Sequence, residues 1–171
     1  MTRQKNGIKK AGKHGRGFTI VEAVLVMTII GIMASIALPR YAGFVAREQV
    51  QAAARRVVTD LALAQRQART SSASRSVVFD VAAGTYTLTG ISDPDRRSST
   101  YRVSLGDEPY RARIVSAAFG ADATIIFDGF GTPDSNGSVV IAVGKYRETV
   151  AVDNGTGRAR VAGPITVDAT Q

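Results

Sequence analysis

Residues 18–38 read FTIVEAVLVMTIIGIMASIAL, an apolar run of 21 residues interrupted by a single acid, Glu22. As a helix rising about 1.5 Å per residue, the run matches the ~30 Å hydrocarbon core of a bilayer. A carboxylate inside such a span is costly unless a cation neutralises it, which makes Glu22 a candidate functional residue. Residues 1–17 carry Arg3, Lys5, Lys9, Lys10, Lys13 and Arg16 and no acid. Positive charge ahead of an apolar span holds that end in the cytoplasm. It also supplies most of the net charge of +8, leaving only +2 on the side chains beyond Gly17. The basic character of the whole chain is therefore poor support for a nucleic-acid partner.

Two bland readings compete. A secretory signal also has a basic start and an apolar core, and Ser35-Ile36-Ala37 would serve as its small-x-small cleavage site. An acid inside the core, the length of the run and the long basic region argue against it. A plain single-pass anchor leaves Glu22 unexplained.

Residues 15–44, GRGFTIVEAVLVMTIIGIMASIALPRYAGF, resemble the start of type IV pilin and type II secretion pseudopilin precursors. In that family a basic leader ends in Gly, the next residue is usually Phe, and Glu is the fifth residue of the mature chain. Gly17, Phe18 and Glu22 stand at those positions, and Pro39 closes the run. The resemblance implies cleavage by a prepilin peptidase between Gly17 and Phe18 and methylation of the Phe18 amine. It also implies a charge pair between Glu22 of one subunit and the Phe18 amine of its neighbour. The partners are then other pilins or pseudopilins through the N-terminal helix. The location is the bacterial inner membrane, crossed once, with the C-terminal domain in the periplasm and incorporated into a pilus or pseudopilus.

Composition points away from an enzyme. There is no cysteine, and the one histidine, His14, lies in the leader. The mature chain cannot build a Ser-His-Asp triad, a Cys-His pair or a histidine-containing zinc site, so no catalytic residue, metal or cofactor is expected. Asp93 and Asp95 flank Pro94, and Asp128 and Asp134 bracket GFGTP; in such turn-like sequence an Asp stabilises the local backbone. Residues 134–138, DSNGS, resemble half of a calcium loop without its distal Glu, so Asp134 and Asn136 are poor ligand candidates. Gly129-Phe130-Gly131 lacks the third glycine of a dinucleotide fingerprint.

Beyond the apolar run, Val50, Ala54, Val57, Leu61, Ala64 and Ala68 recur at steps of four and three, one apolar stripe along a helix. Arg47, Gln51, Arg55, Thr59, Arg66 and Arg69 occupy the other side, and Arg55 and Arg56 read as a solvated face. No Gly interrupts this stretch from Phe44 to Thr70, so the helix is expected to continue from the span, with Pro39 as a kink inside it. From Ser76 the pattern changes to short β-rich runs between turns. Strands are expected at Ser76–Val81, Tyr86–Thr89, Tyr101–Leu105, Arg111–Val115, Thr124–Phe127, Val139–Val143, Glu148–Val152 and Arg158–Val161. Ala82-Ala83-Gly84 and Asp153-Asn154-Gly155 read as hairpin turns, and Ser92–Thr100 as a mobile polar loop. The expected fold is α+β and pilin-like, a long N-terminal helix packed on an antiparallel sheet. Its parts are a leader (1–17), a membrane or filament-core helix (18–38), an amphipathic continuation (39–70) and a β-rich periplasmic domain (71–171).

The run ATIIFDGFGTPDSNGSVVIAV with the later NGTGRARV is similar to the C-terminal domain of the GspH/FimT group of minor pseudopilins and minor pilins. That resemblance implies a subunit of a type II secretion pseudopilus acting in assembly and protein secretion. The alternative is a FimT-like minor pilin of a type IV pilus that binds DNA during natural transformation. Gly157-Arg158-Ala159-Arg160 resembles the Gly-Arg-x-Arg motif of such pilins. In a strand, Arg158 and Arg160 would face the same way, and Lys145 and Arg147 are candidates to extend the patch. A membrane-anchored periplasmic enzyme or binding domain is the remaining alternative, disfavoured by the missing His and Cys.

Overall fold

The computed structural model describes residues 18–93 and 100–163, with the backbone alone for Leu38 and Pro39. The leader with Gly17, Asp95 and most of the expected Ser92–Thr100 loop lie outside the described residues. One helix, α1, extends over Ile20–Ser71 and passes through Pro39. The chain divides into two compact units, ending and beginning at Arg40 and Tyr41.

In the first unit, apolar side chains of α1 such as Val21, Met27, Ile30 and Met33 are exposed. The helix is long and apolar enough to cross a membrane. Its hydroxyls are satisfied internally. Thr28 Oγ1 donates to the Val24 carbonyl at 2.8 Å and Ser35 Oγ to the Ile32 carbonyl at 2.7 Å. Lipid demands this, because it offers no water to polar groups.

In the second unit, the expected stripe of α1 is buried throughout, from Val50 to Ala68. Each Val or Leu removed from water in this way contributes about 1.5–3 kcal/mol, while the alanines let the backbone approach its neighbours. Eight strands follow among the described residues: β1 Arg75–Asp80, β2 Thr85–Ser92, β3 Thr100–Ser104, β4 Arg113–Phe119, β5 Thr124–Phe127, β6 Gly137–Val143, β7 Tyr146–Val152 and β8 Ala159–Val161. All expected strands are present and all their pairings are antiparallel. They form two four-stranded sheets, β3-β2-β1-β5 and β4-β6-β7-β8, rather than one. Alternation of apolar residues locates a strand but does not name its partner, and here β5 crosses back to pair with β1.

One strand sits later than expected. Arg111 has φ 47°, its N–H bonds to the Asp107 carbonyl, and that of Ala112 to the Leu105 carbonyl, so residues 111–112 still belong to a turn. Strand β4 instead continues through Ser116-Ala117-Ala118, a stretch of low β-propensity, because each residue has a partner in β6.

The solvated-face reading of Arg56 is corrected. Arg56 is half-buried, pairs with Asp60 at 3.0 Å and donates to the Tyr101 hydroxyl. Asp60, only 3% exposed on the buried side of α1, accepts hydrogen bonds from the hydroxyls of Tyr86 and Tyr101. An acid in a helix centred on a core is tolerable only when each of its lone pairs is used in this way. Burial, and after it the Asp60 carboxylate, push both tyrosine hydroxyls above the ordinary range.

Asp60→Ala removes the acceptor of two tyrosines and the partner of Arg56, so a loss of about 3–5 kcal/mol is expected in denaturant unfolding. The raised tyrosine pKa values give a second readout. Stability from this network is intact below ~10, the ordinary tyrosine value, and falls as pH rises further, because the unfolded chain then releases protons that the folded chain retains. In Tyr86→Phe that alkaline decline should be shallower.

Candidate functional site

The N-terminal segment begins with its own cap. Thr19 precedes α1, its Oγ1 accepts from the Glu22 N–H at 3.2 Å, and its carbonyl accepts from the Ala23 N–H at 3.1 Å. Thr19 to Glu22 thus has the spacing of a capping box, with the acid in the first turn where the helix dipole favours it. Glu22 and Phe18 are exposed, Phe18 by 70%. Among the described residues no cation pairs with Glu22.

At the other end of α1 two turns are tied to the helix by one side chain. Gln65, 8% exposed, donates from Nε2 to the carbonyls of Gly131, at 2.8 Å, and Thr156, at 3.0 Å. One turn follows β5 and the other joins β7 to β8. Arg69 adds a bond from Nε to the Phe130 carbonyl at 2.9 Å. Within the first turn Asp128 Oδ1 accepts from the N–H groups of Phe130 and Thr132 at 2.9 and 2.8 Å. Within the second, Asp153 Oδ1 accepts from the N–H and hydroxyl of Thr156, both at 2.8 Å. Asp134 Oδ1 accepts from the Ile126 N–H at 3.1 Å. The expected turn roles of Asp128 and Asp134 hold. No cluster of metal-ligating side chains occurs among the described residues.

Gly157 is required by this seat. It has φ 66°, and a Cβ there would lie 2.2 Å from Gln65 Nε2 and 2.9 Å from the Gly131 carbonyl oxygen. The glycine of Gly157-Arg158-Ala159-Arg160 is thus explained by packing alone. The arginines are exposed, but only Arg160 lies within β8. The Arg158 carbonyl accepts from the Asp153 N–H at 3.1 Å, and its N–H faces Thr156 Oγ1 at 3.3 Å, so Arg158 closes the turn instead of starting the strand. Arg158 thus stands at the junction of the turn and β8, with Arg160 inside the strand. Asp153 sits close by: Thr156's hydrogen bonds chiefly, and Arg160's charge to a lesser degree, hold its carboxyl below the usual range.

Lys145 and Arg147 lie towards the other end of β7: Arg160 pairs with Ala151, four residues further along that strand than Arg147. The β6–β7 hairpin that carries them meets α1 at Gly43, whose Cβ would lie 3.0 Å from the Tyr146 hydroxyl, and at Arg47, 4.8 Å above the Tyr146 ring. Gly43 and Gln65 are 22 residues apart on α1, about 33 Å of helix. Strand β7 runs from the first position towards the second.

Sequence reasoning passed over Gln65 and Asp60, buried polar groups whose only local signal is a polar residue at the edge of an apolar stripe. It also passed over Glu148, buried on β7, with Oε2 unpartnered among the described residues and its carboxyl pushed up by burial. Glu148 lines a cavity of about 270 Å³ with Gln51, Arg55 and Val161.

Gly157→Ala should destabilise the second unit by about 1–3 kcal/mol, and the loss should shrink when Gln65 is shortened to Ala in the same chain. Thermal unfolding of the two single variants and the double variant measures the coupling.

Comparison with known proteins agrees with this architecture. Residues 12–38 match the family described as "Prokaryotic N-terminal methylation motif", and residues 53–157 match "Type II transport protein GspH". Type IV major fimbrial protein FimA of Dichelobacter nodosus is 51% identical over 35 residues, 20% of this chain and 22% of its own. A fimbrial protein of Moraxella nonliquefaciens is 53% identical over 38 residues, 22% of this chain and 25% of its own. The chain thus spans about a quarter or less of these fimbrial relatives. A structure of the minor pseudopilin EpsH from the type II secretion system of Vibrio cholerae shares the fold, with TM-score 0.51 and 16% identity over 67% of this chain and 97% of that one. A second EpsH crystal structure gives TM-score 0.50 and 15% identity over 69% and 98%. With one family match covering more than half of the chain and the methylation motif ahead of it, this chain belongs to the GspH family of type II transport proteins.

Proposed function

We propose that the chain is an H-type minor pseudopilin, a subunit of a type II secretion pseudopilus that takes part in filament assembly and protein secretion. The observation that carries this reading is where the similarities stop. Likeness to GspH extends over residues 53–157, whereas likeness to type IV fimbrial proteins covers 35–38 residues.

In this reading the precursor lies in the inner membrane with its basic leader in the cytoplasm and its β-rich unit in the periplasm. Prepilin peptidase cuts between Gly17 and Phe18, and the new Phe18 amine is methylated and keeps its positive charge. On assembly, Glu22 of one subunit meets the Phe18 amine of the next. Once both have left water, opposite charges attract strongly, and either alone is costly, so the pair selects one axial register. Pro39, lacking an N–H to donate, removes one helical hydrogen bond from α1 at that point. A minor subunit primes or caps such a filament.

The exposed Arg158 and Arg160 favour a second reading, a minor pilin that contacts DNA. Asp153, whose carboxyl feels the charge of Arg160, reduces its cationic field, so any such contact rests on few phosphates.

Three measurements test these readings. Mature protein from membranes should begin at an N-methylated Phe18, and Gly17→Leu should leave the precursor uncut; an N-terminus at Leu38 would identify a secretory signal instead. Glu22→Ala should be processed normally yet fail to co-purify with neighbouring subunits; unchanged co-purification would remove the charge pair from the mechanism. A deletion strain should lose exoprotein secretion and keep DNA uptake. The converse result, with salt-sensitive duplex binding that Arg158→Gln and Arg160→Gln abolish, would establish the second reading.

A further inference from the structure

Glu148 has no role in either reading, and its surroundings are unfavourable for an acid. On β7 it shares a face with Tyr146, which meets α1 at Gly43 and Arg47. Glu148 lies further along the same helix, at Gln51 and Arg55. Only 6% of it is exposed. Its Oε2 is enclosed without a hydrogen-bond partner, and among the described residues no cation pairs with the carboxyl. Burial pushes that carboxyl up, and no neighbouring cation offsets it. A buried acid in this state lowers stability. Asp60, comparably buried, instead engages Arg56 and two tyrosines.

The cavity that Glu148 lines, about 270 Å³ between α1 and the β7–β8 edge, is also bounded by Gln51, Arg55, Val161 and Gly163. Below ~300 Å³ a cavity is small for a drug-sized ligand and suits one long side chain. Its lining is the complement of a lysine or arginine. Val161, 40% exposed, gives an apolar wall for the methylene stem. The Glu148 carboxylate and the Gln51 amide oxygen are acceptors for the cationic head. Arg55 is exposed and makes no side-chain hydrogen bond or ion pair among the described residues. It disfavours a free cation and calls for an acid beside the basic residue that enters. Arg147 and Arg160, next to Glu148 and Val161 in sequence, face the other side of their strands. Arg47 and Glu48, one turn before Gln51 on α1, are an exposed cation and an exposed acid that balance in charge. A phosphate backbone would meet the Glu148 carboxylate as a like charge. No cluster of metal-ligating side chains is found among the described residues.

We propose that this cleft is a socket for a lysine or arginine of a neighbouring protein subunit, whose cationic head meets Glu148 and whose adjacent acid meets Arg55. The contact rests on the filament-subunit reading above and adds a second attachment, made by the β-rich unit and not by the N-terminal segment. Two charge pairs in a fixed order reject a surface that carries the same charges reversed. A socket for one side chain beside a fixed charge fits a constant partner, not the varied surfaces of secreted proteins. Filling it relieves the unpaired acid, so the bound subunit is more stable than the free one.

The test uses the full chain in nonionic micelles, with n-butylammonium as probe, the stem and head of a lysine, and sodium butyrate as the control of opposite charge. So small a probe binds weakly, and each is added to about 0.1 M. Butylammonium should shift the side-chain NMR signals of Glu148 and Val161 and lower the pH at which the Glu148 carboxyl titrates. Butyrate should do neither. Glu148→Gln should weaken probe binding about tenfold or more, yet unfold at a temperature no lower than the wild type, because it removes an unpartnered acid. Arg55→Gln should tighten the probe, having removed a like charge. Both variants should co-purify with less neighbouring subunit than the wild type. No shift with butylammonium, or an equal or larger one with butyrate, would overturn the proposal. So would a Glu148→Gln chain that unfolds earlier, since the carboxyl would then be structural, or one that captures subunits as the wild type does. Each of these results leaves the filament-subunit reading in place as long as the wild type co-purifies with other subunits. A wild-type chain that captures none would remove that reading and this inference together.

Discussion

Helix α1 has to be stable in two solvents with one backbone. Over its first half the side chains other than Glu22 are apolar on every side and the hydroxyls turn back onto the helix, as lipid or a bundle of like helices requires. Over its second half one stripe is apolar and the rest is charged, as water on one side and a β core on the other require. The change of pattern between Leu38 and Arg47 is the point from which the rest follows. It sets where the β-rich unit begins.

Apolar contact alone would leave the second half free to slide, since valine and alanine side chains pack almost equally well one turn along. Two buried polar residues remove that freedom. Asp60 engages Tyr86 of β2 and Tyr101 of β3, in the first sheet. Gln65 engages the turns after β5 and between β7 and β8, the latter in the second sheet. They are five positions apart on α1, and between them they tie the helix to both sheets. A shift of one turn would leave several buried polar groups without partners, a penalty of about 1–3 kcal/mol each.

Most of the architecture was legible because it rests on periodicity. The stripe from Val50 to Ala68 and the eight short strands follow from steps of three to four and of two. The arrangement into two sheets was not legible, because strand pairing is decided by contacts between residues far apart in sequence. The early start given to β4 has the same origin, since Arg111 in a left-handed conformation and the partnered alanines of β4 follow from their neighbours and not from propensity. At the functional end, Glu22 could be singled out because a charge in an apolar run is costly, and Gly17 and Phe18 through the resemblance of residues 15–44 to pilin precursors. Arg158 and Arg160 were harder, because a Gly-Arg-x-Arg string looks the same whether its glycine serves a ligand or a seat on Gln65.

The Gln65 seat also makes the turn bearing Arg158 a mechanical part. A load applied at the turn bearing Arg158 reaches Thr156, passes through two hydrogen bonds to the Gln65 amide, and enters α1 directly. It does not first have to peel β8 from β7. Strand β8, only three residues long, would yield early if pulled at its edge, whereas a helix loaded along its axis is stiff. Whatever grips this turn therefore pulls on the helix of the second unit and not on the edge of its sheet.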